Sequence, residues 1–251
     1  MSARTVLTSL IVTGATLALV AFCAWFFVYT PQGSAFLARS TTVKYLPQAL
    51  RREIADTLIS DAGSKMRNSD DRGNVDRLKE ASLADPVHPQ VWRKLCEGYQ
   101  LVEELDQALD ACQQNIKVNP DGLSYNSLGL VYMARKDYVH ASQAFQVAAQ
   151  ASGSPQVHSN LVWTLLASGQ YERGVPEIEK LIQLLAREDE RLKPDELKEA
   201  YSELGFAYHR LGKEKEAQAA YAQIHRIDPT WPYSSCDMKL DAKGEPALSC
   251  R

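Results

Sequence analysis

The sequence predicts an all-α protein in which an N-terminal transmembrane helix precedes an α-solenoid of stacked helix hairpins. Two observations predict this architecture: an uncharged apolar run near the N-terminus, and a pattern of small and aromatic residues that recurs every 33 residues. The composition is that of a folded chain, because 45% of the 251 residues are hydrophobic and 24% are charged, close to the averages of globular domains.

Residues 6–29 predict the membrane-spanning helix. The run VLTSLIVTGATLALVAFCAWFFVY contains no charged side chain, and about 20 apolar residues suffice to cross a bilayer core about 30 Å thick. Aromatic residues cluster at the end of the run, as in an interfacial belt, and Pro31 with Gly33 then breaks the helix. A cleaved signal peptide ending near Ala35 is the alternative, although its apolar region would usually be only about 7 to 15 residues long.

The orientation of this span is predicted from the length of the chain that follows it. Arg4 on one side and Arg39 with Lys44 on the other leave little charge bias, but long domains are translocated regardless of charge. We therefore expect residues 1–30 to be a signal-anchor in the inner (cytoplasmic) membrane, with the bulk of the chain in the periplasm or another extracytoplasmic space. Residues 31–52 are expected to form a juxtamembrane linker.

Helix hairpins are predicted by a repeated signature. Each copy places an aromatic residue, a leucine, a small residue and a tyrosine in a first helix, and an alanine before a larger residue in a second. The clear copies read Trp92-x-x-Leu95-Cys96-x-x-Tyr99 with Ala108-x-x-x-Cys112, Tyr125-x-x-Leu128-Gly129-x-x-Tyr132 with Ala141-x-x-x-Phe145, and Tyr201-x-x-Leu204-Gly205-x-x-Tyr208 with Ala217-x-x-x-Tyr221. This pattern resembles the tetratricopeptide repeat.

The resemblance covers residues 89–231 and implies four repeats. Their ranges are 89–121, 122–154, 155–197 and 198–231. The third is degenerate, and its insertion at 186–196 is expected to lengthen a helix or to form a charged loop. Small residues let the two helices of a hairpin approach closely while large ones interlock, so hairpins must stack to bury a core. Residues 53–88 are expected to form a degenerate capping repeat and residues 232–251 a C-terminal tail.

The sequence offers no support for catalysis, a cofactor, a metal site or nucleic-acid binding. Phosphate loops, GxSxG elbows and CxxC patterns are missing from the sequence. The histidines lack metal-ligand spacing, and their neighbours suggest surface or groove placement; they are His88, His140, His158, His209 and His225. The net charge of -3 gives no electrostatic reason to expect a phosphate backbone as partner. Acidic runs are interpreted as solvated helix faces.

Two pairs of cysteines could form disulfides. Cys96 and Cys112 lie on the two helices of one hairpin, at positions that the repeat template directs inward. We interpret them as buried thiols, although a bond between them would close a loop of about 15 residues. Cys236 and Cys250 bracket a polar segment that could close as a disulfide loop in an oxidising compartment, or remain as two thiols.

The resemblance also implies where a partner binds. In this family the first helix of each repeat lines a concave groove, and exposed apolar residues there would mark an interaction site. The groove positions of the template correspond to Arg93, Glu97, Asn126, Leu130, Met133, Trp163, Leu166, Phe206, His209 and Arg210. Alternatively, some of these residues pack against a neighbouring repeat or the tail. The carboxylate clamp of co-chaperones is absent, since its positions hold Arg93, Glu97 and Ser127.

Together these features predict a membrane-anchored scaffold or adaptor that binds a protein or peptide, in envelope protein assembly or quality control. Two alternatives remain open. An accessory subunit of a membrane complex would pack its span on other helices through Gly14 and Ala18. A thiol-redox or cytochrome-maturation factor would require Cys236 and Cys250 to be functional.

Overall fold

The computed structural model describes residues 21–187, 194–230, 236–240 and 246–250, the last two segments by their backbone alone. The predicted span therefore lies largely outside the described residues, as does the middle of the insertion at 186–196. None of the described helices is long and apolar enough to cross a membrane. The chain divides into two compact units, Met1–Asn119 and Pro120–Arg251.

Both units are built from antiparallel helix hairpins. After a helical stretch over 21–29, the first unit contains α1 (Pro31–Arg39), a short 3₁₀ turn (Val43–Tyr45), α2 (Gln48–Arg67), α3 (Asp71–Ala84), α4 (Val91–Leu101) and α5 (Leu105–Val118). The second contains α6 (Gly122–Ala134), α7 (Tyr138–Ala151), α8 (Pro155–Ala167), α9 (Tyr171–Arg187), α10 (Pro194–Arg210) and α11 (Glu214–Ile227). Within each unit the second helix of one hairpin packs on the first helix of the next, which is the all-α solenoid arrangement that the repeats predict.

The turns between paired helices repeat with the period of the sequence pattern. Each turn holds one residue with positive φ, and these residues are Ser69, Glu103, Lys136, Gly169 and Gly212. Successive turns are 34, 33, 33 and 43 residues apart, so the last interval contains the insertion. The turn at Ser69 closes the hairpin of α2 and α3, in the segment expected to form a degenerate capping repeat.

Two glycines bring paired helices into close contact, as predicted. A Cβ atom built on Gly129 would lie 2.7 Å from the ring of Phe145, closer than carbon atoms can pack. At Gly205 the ring of Tyr221 comes closer still. The small residue of the first helix and the large residue of the second therefore form one interlocking pair in each of these hairpins.

In the hairpin of α4 and α5, a covalent bond replaces this interlocking pair. Cys96 stands where the second and fourth repeats have glycine, and Cys112 stands where they have an aromatic residue. The sulfur atoms of the two cysteines form a disulfide. Both residues are fully buried. The interpretation as two thiols is therefore wrong, because the close approach that glycine allows elsewhere brings these two Cα atoms to 5.1 Å, within the range that a disulfide spans.

The segment at 31–52, expected as a linker, is instead built into the first unit. Ala35 and Ala38 of α1 are buried in a core with Ile54 and Leu58 of α2, and the Arg39 guanidinium donates to Glu80 of α3 at 2.7 Å. The linker prediction fails because the apolar face of α1 consists of small residues, which carry little hydrophobic signal but allow close helix packing.

The C-terminal tail contains a pair of strands that the sequence did not predict. Strands β1 (Cys236–Leu240) and β2 (Pro246–Cys250) are antiparallel, with Cys236 opposite Cys250. The backbone of β1 lies beside α10. Five residues a strand are too few to give a clear alternating pattern in the sequence.

Candidate partner-binding site

The first helices of the second unit carry a partly exposed apolar surface. Asn126, Leu130 and Met133 follow one another at helical spacing on α6, and Trp163 lies on the next first helix, α8; all are half-buried. Leu130 and Met133 pack against the buried side chains around Phe145. The Trp163 ring meets the ring of Tyr138 edge to face, at 5.2 Å between centroids. We call Asn126, Leu130, Met133 and Trp163 the first-helix surface.

One polar atom of this surface has no partner among the described residues. The side-chain oxygen of Asn126 is buried and accepts no hydrogen bond from them. A buried acceptor without a donor costs about 1–3 kcal/mol. A donor supplied by a bound molecule would remove that cost.

Leu166 and Phe206, expected in the groove, are core residues instead. Their exposed fractions are 2% and 0%, and both belong to a cluster that includes Ile178 and Leu197. The Phe206 ring packs edge to face on Tyr171 of α9, at 5.7 Å. Their placement in the groove is wrong because the third hairpin and α10 pack on each other through these side chains, which is the alternative that the sequence left open.

His209 and Arg210 are exposed at the end of α10. His209 Nδ1 lies 2.9 Å from a carboxylate oxygen of Glu214, and the Arg210 guanidinium lies 5.3 Å from the centre of the Tyr171 ring. Both side chains are therefore engaged locally, although their exposure leaves them accessible.

Arg93 and Glu97 belong to the first unit and bind each other. The Arg93 guanidinium donates to Glu97 at 2.8 Å, one turn along α4. Because the pair neutralises itself, Arg93 offers no free cation for a carboxylate. Ser127, the remaining clamp position, is buried.

A cavity of about 460 Å³ opens between the starts of α8 and α10. Its wall on α10 carries Glu196, Glu199 and Glu203, which follow one another at helical spacing. The remaining described lining comes from Ser154, Pro155, Gln156, Ser159, Leu181, Leu185 and Ala200. We call this cavity the acidic pocket, since none of its described lining residues is basic.

Glu203 forms the buried part of the acidic pocket. Its exposed fraction is 6%, whereas Glu196 and Glu199 are exposed. Burial, with a further contribution from the charge of Glu199, raises the pKa of Glu203 well above its usual range. The sequence did not single out Glu203 as a site residue, because acidic residues on helix faces are usually solvated.

Two histidines are buried, contrary to the expected surface or groove placement. His158 is fully buried on α8, and its Nδ1 lies 3.3 Å from a carboxylate oxygen of Glu177. Burial and the charge of Lys180 lower the pKa of His158, against the opposing effect of Glu177. His88 is also buried, with Nε2 3.0 Å from Asp56. Both predictions fail because these positions face the core.

No group of three or more histidine, cysteine or carboxylate side chains in the described part of the chain is arranged to hold a metal ion. The site is instead a surface of apolar, amide and carboxylate groups, which can bind another molecule.

Comparison with known proteins agrees with the repeat geometry. Residues 198–230 match the tetratricopeptide repeat family model. A relative, the TPR repeat-containing protein YpiA of Bacillus subtilis (strain 168), is 28% identical over 174 residues, which cover 67% of this chain and 38% of YpiA. The chain thus spans well under half the length of that relative.

Solved structures of the same type superimpose on most of the chain. The MamA protein matches with a TM-score of 0.61 at 19% identity, covering 70% of this chain and 92% of MamA. YrrB, described as a TPR protein with an unusual peptide-binding site, matches with a TM-score of 0.58 at 14% identity, covering 70% and 87%. The helix hairpins and these similarities define the fold as that of tetratricopeptide-repeat proteins.

Proposed function

We propose that this chain is a membrane-anchored tetratricopeptide-repeat scaffold or adaptor that binds a protein partner through its first-helix surface. The observation that carries the proposal is the combination of half-exposed Leu130, Met133 and Trp163 with the unpartnered oxygen of Asn126. A partner segment buries the apolar side chains, and a peptide N–H donates to Asn126. The similarity of the fold to YrrB, which has a peptide-binding site, supports a peptide ligand.

The apolar side chains and the Asn126 amide contribute differently to binding. Burying a large apolar side chain contributes about 1.5–3 kcal/mol, so the three apolar residues supply most of the affinity. The Asn126 oxygen requires a donor at one position, which favours an extended or helical backbone in a defined register. The proposed activity is binding without catalysis.

The anchor and the compartment are part of the proposal. The uncharged run at 6–29 is long enough to span a membrane. The end of this run carries exposed aromatic residues, with Phe22 at 60% and Trp25 at 53% exposure, which suit a lipid interface. The disulfide between Cys96 and Cys112 favours an oxidising compartment. We therefore propose a periplasmic or other extracytoplasmic repeat domain that serves envelope protein assembly or quality control.

A crosslinking pull-down tests the binding surface. The full-length chain in mild detergent is compared with a Leu130→Ala plus Trp163→Ala variant. The matched control, Val139→Ala plus Val147→Ala, removes exposed apolar side chains from the second helix α7. We expect partners to be lost from the first variant and kept by the control. Retention of every partner by the first variant, with its helix content unchanged by circular dichroism, would contradict the proposal.

Fractionation tests the anchor and its orientation. The chain should remain in the membrane pellet after carbonate extraction, and a protease should degrade its repeats in spheroplasts but not in intact cells. Release of the chain by carbonate would contradict the anchor. Protection of the repeats in spheroplasts would contradict the orientation.

A further inference from the structure

The acidic pocket has the charge and shape of a receptor for one long basic side chain. Its carboxylates run from the surface into the interior, from Glu196 in the first turn of α10 to Glu203 seven residues later. At 1.5 Å per residue, this ladder extends about 10 Å along the helix. It ends at the one buried carboxyl of the three, Glu203.

The described residues offer no partner for the charge of Glu203. It makes no hydrogen bond or ion pair with any residue that the structure describes, yet 94% of its surface is buried, since 6% is exposed. A buried carboxylate without a counter-charge is strongly unfavourable. Burial accordingly raises its pKa and favours the neutral acid while the pocket is empty. An entering cation would favour the ionised form.

The apolar residues of the lining suit the aliphatic stem of a basic side chain. Leu181 and Leu185 of α9 and Ala200 of α10 line the pocket beside the carboxylates. Lysine and arginine bury their methylene stems on apolar surface while the charged head group meets polar atoms. Ser159 and Gln156 add polar groups near the mouth. A compact metal ion would not use these apolar residues, and the described carboxylates are not arranged to hold one.

Along α8, the pocket lies one helical turn from the proposed partner-binding surface. Ser159 lines the pocket, and Trp163 follows it by one helical turn on the same face. A single partner segment that packs on Trp163 can therefore place its next side chains at the pocket mouth.

We propose that the acidic pocket binds an arginine or lysine side chain of the partner, with Glu203 as the residue that recognises its charged head group. This inference rests on the proposed function, because it assigns a chemical class to one residue of the bound partner. Glu203 releases a proton as the cation binds, so binding tightens as the pH rises.

Ligand-observed NMR on the full-length chain in detergent micelles tests this assignment. Saturation-transfer signals are compared for Nα-acetyl-arginine amide and Nα-acetyl-citrulline amide, which have nearly the same shape but differ in charge. We expect binding of the arginine probe only, with affinity rising as the pH increases above the ordinary glutamate pKa of about 4.3. Equal binding of the citrulline probe, or no binding of either, would overturn the proposal.

Variants distinguish arginine binding in the pocket from nonspecific electrostatic attraction to the protein surface. Glu203→Gln should weaken arginine binding at least tenfold and abolish its pH dependence, and Glu199→Gln should weaken it less. Glu216→Gln, which removes an exposed carboxylate from the second helix α11, should leave binding unchanged. Unchanged binding by Glu203→Gln would overturn the assignment. If arginine binding fails while the Leu130→Ala plus Trp163→Ala variant still loses its partners, the pocket inference is wrong and the proposed function stands. If the arginine probe binds but the Leu130→Ala plus Trp163→Ala variant keeps its partners, the pocket inference stands and the proposed partner-binding surface is wrong.

Discussion

Reducing the disulfide between Cys96 and Cys112 should destabilise the first unit by about 3 kcal/mol. The two cysteines are 16 residues apart, and the chain-entropy model assigns a loop of about that length roughly 3 kcal/mol of stabilisation, by restricting the unfolded chain. Because reduction leaves both thiols in a buried position, the comparison isolates the covalent bond. The change corresponds to about a hundredfold increase in the opening constant of the hairpin.

Hydrogen exchange followed by mass spectrometry measures this effect locally. Peptides from α4 and α5 are compared with and without dithiothreitol, in a Cys236→Ser plus Cys250→Ser background. The Cys96→Gly plus Cys112→Phe variant restores the pair found at Gly129 and Phe145, so its exchange should not respond to the reductant. Equal exchange of oxidised and reduced wild-type α4 and α5 would refute the reasoning, because the bond would then contribute no stability.

Three further predictions concern other parts of the second unit. Gly205→Ala should lower its stability by about 1–3 kcal/mol in urea denaturation, because a Cβ atom would overlap the Tyr221 ring; an unchanged midpoint would contradict the close packing. The pKa of Glu203 is raised in the folded state, so stability should fall as pH rises from about 4.3 through that raised pKa, and Glu203→Gln should lose this dependence in denaturation series; an equal dependence in both proteins would exclude Glu203 as its source. Cys236 and Cys250 face each other across the strand pair, at a Cα separation of about 5 Å that a disulfide can span; peptide mapping of exported protein should find them joined, and two alkylated thiols would contradict this.

The hairpins could be predicted because their sequence signature places small and large residues at the spacing that two packed helices require. Gly129 with Phe145 and Gly205 with Tyr221 are small and large residues whose offsets follow from two helices in contact. The disulfide occupies the same offsets. Cys96 and Cys112 replace both members of the small and large pair, so the same spacing indicates that they are in contact.

The helix ends and the groove were less predictable. The repeat template assigns groove positions by counting from the signature, but α9 extends to Arg187 and α10 begins at Pro194. Near the start of α9, Leu166 lies beside Gly174 and Phe206 packs on Tyr171, so these two residues are core rather than groove. The spacing of residues along one helix does not determine which of them a neighbouring helix buries.

The acidic pocket could not be predicted for a related reason. A glutamate on an amphipathic helix is usually solvated, and the spacing of Glu199 and Glu203 alone does not distinguish a solvated face from a cavity wall. Leu181 and Leu185, which line the pocket together with Glu203, belong to a different helix. Only the tertiary packing of α8, α9 and α10 reveals that this face is enclosed.

Site-specific photo-crosslinking in living cells tests the central claim, that partners bind on the first-helix surface. A photoreactive phenylalanine analogue at Met133 of α6 should form crosslinks to a defined protein partner. The same analogue at Val147, an exposed residue of the second helix α7, should form few or none. Crosslinks at Val147 and none at Met133 would contradict the account.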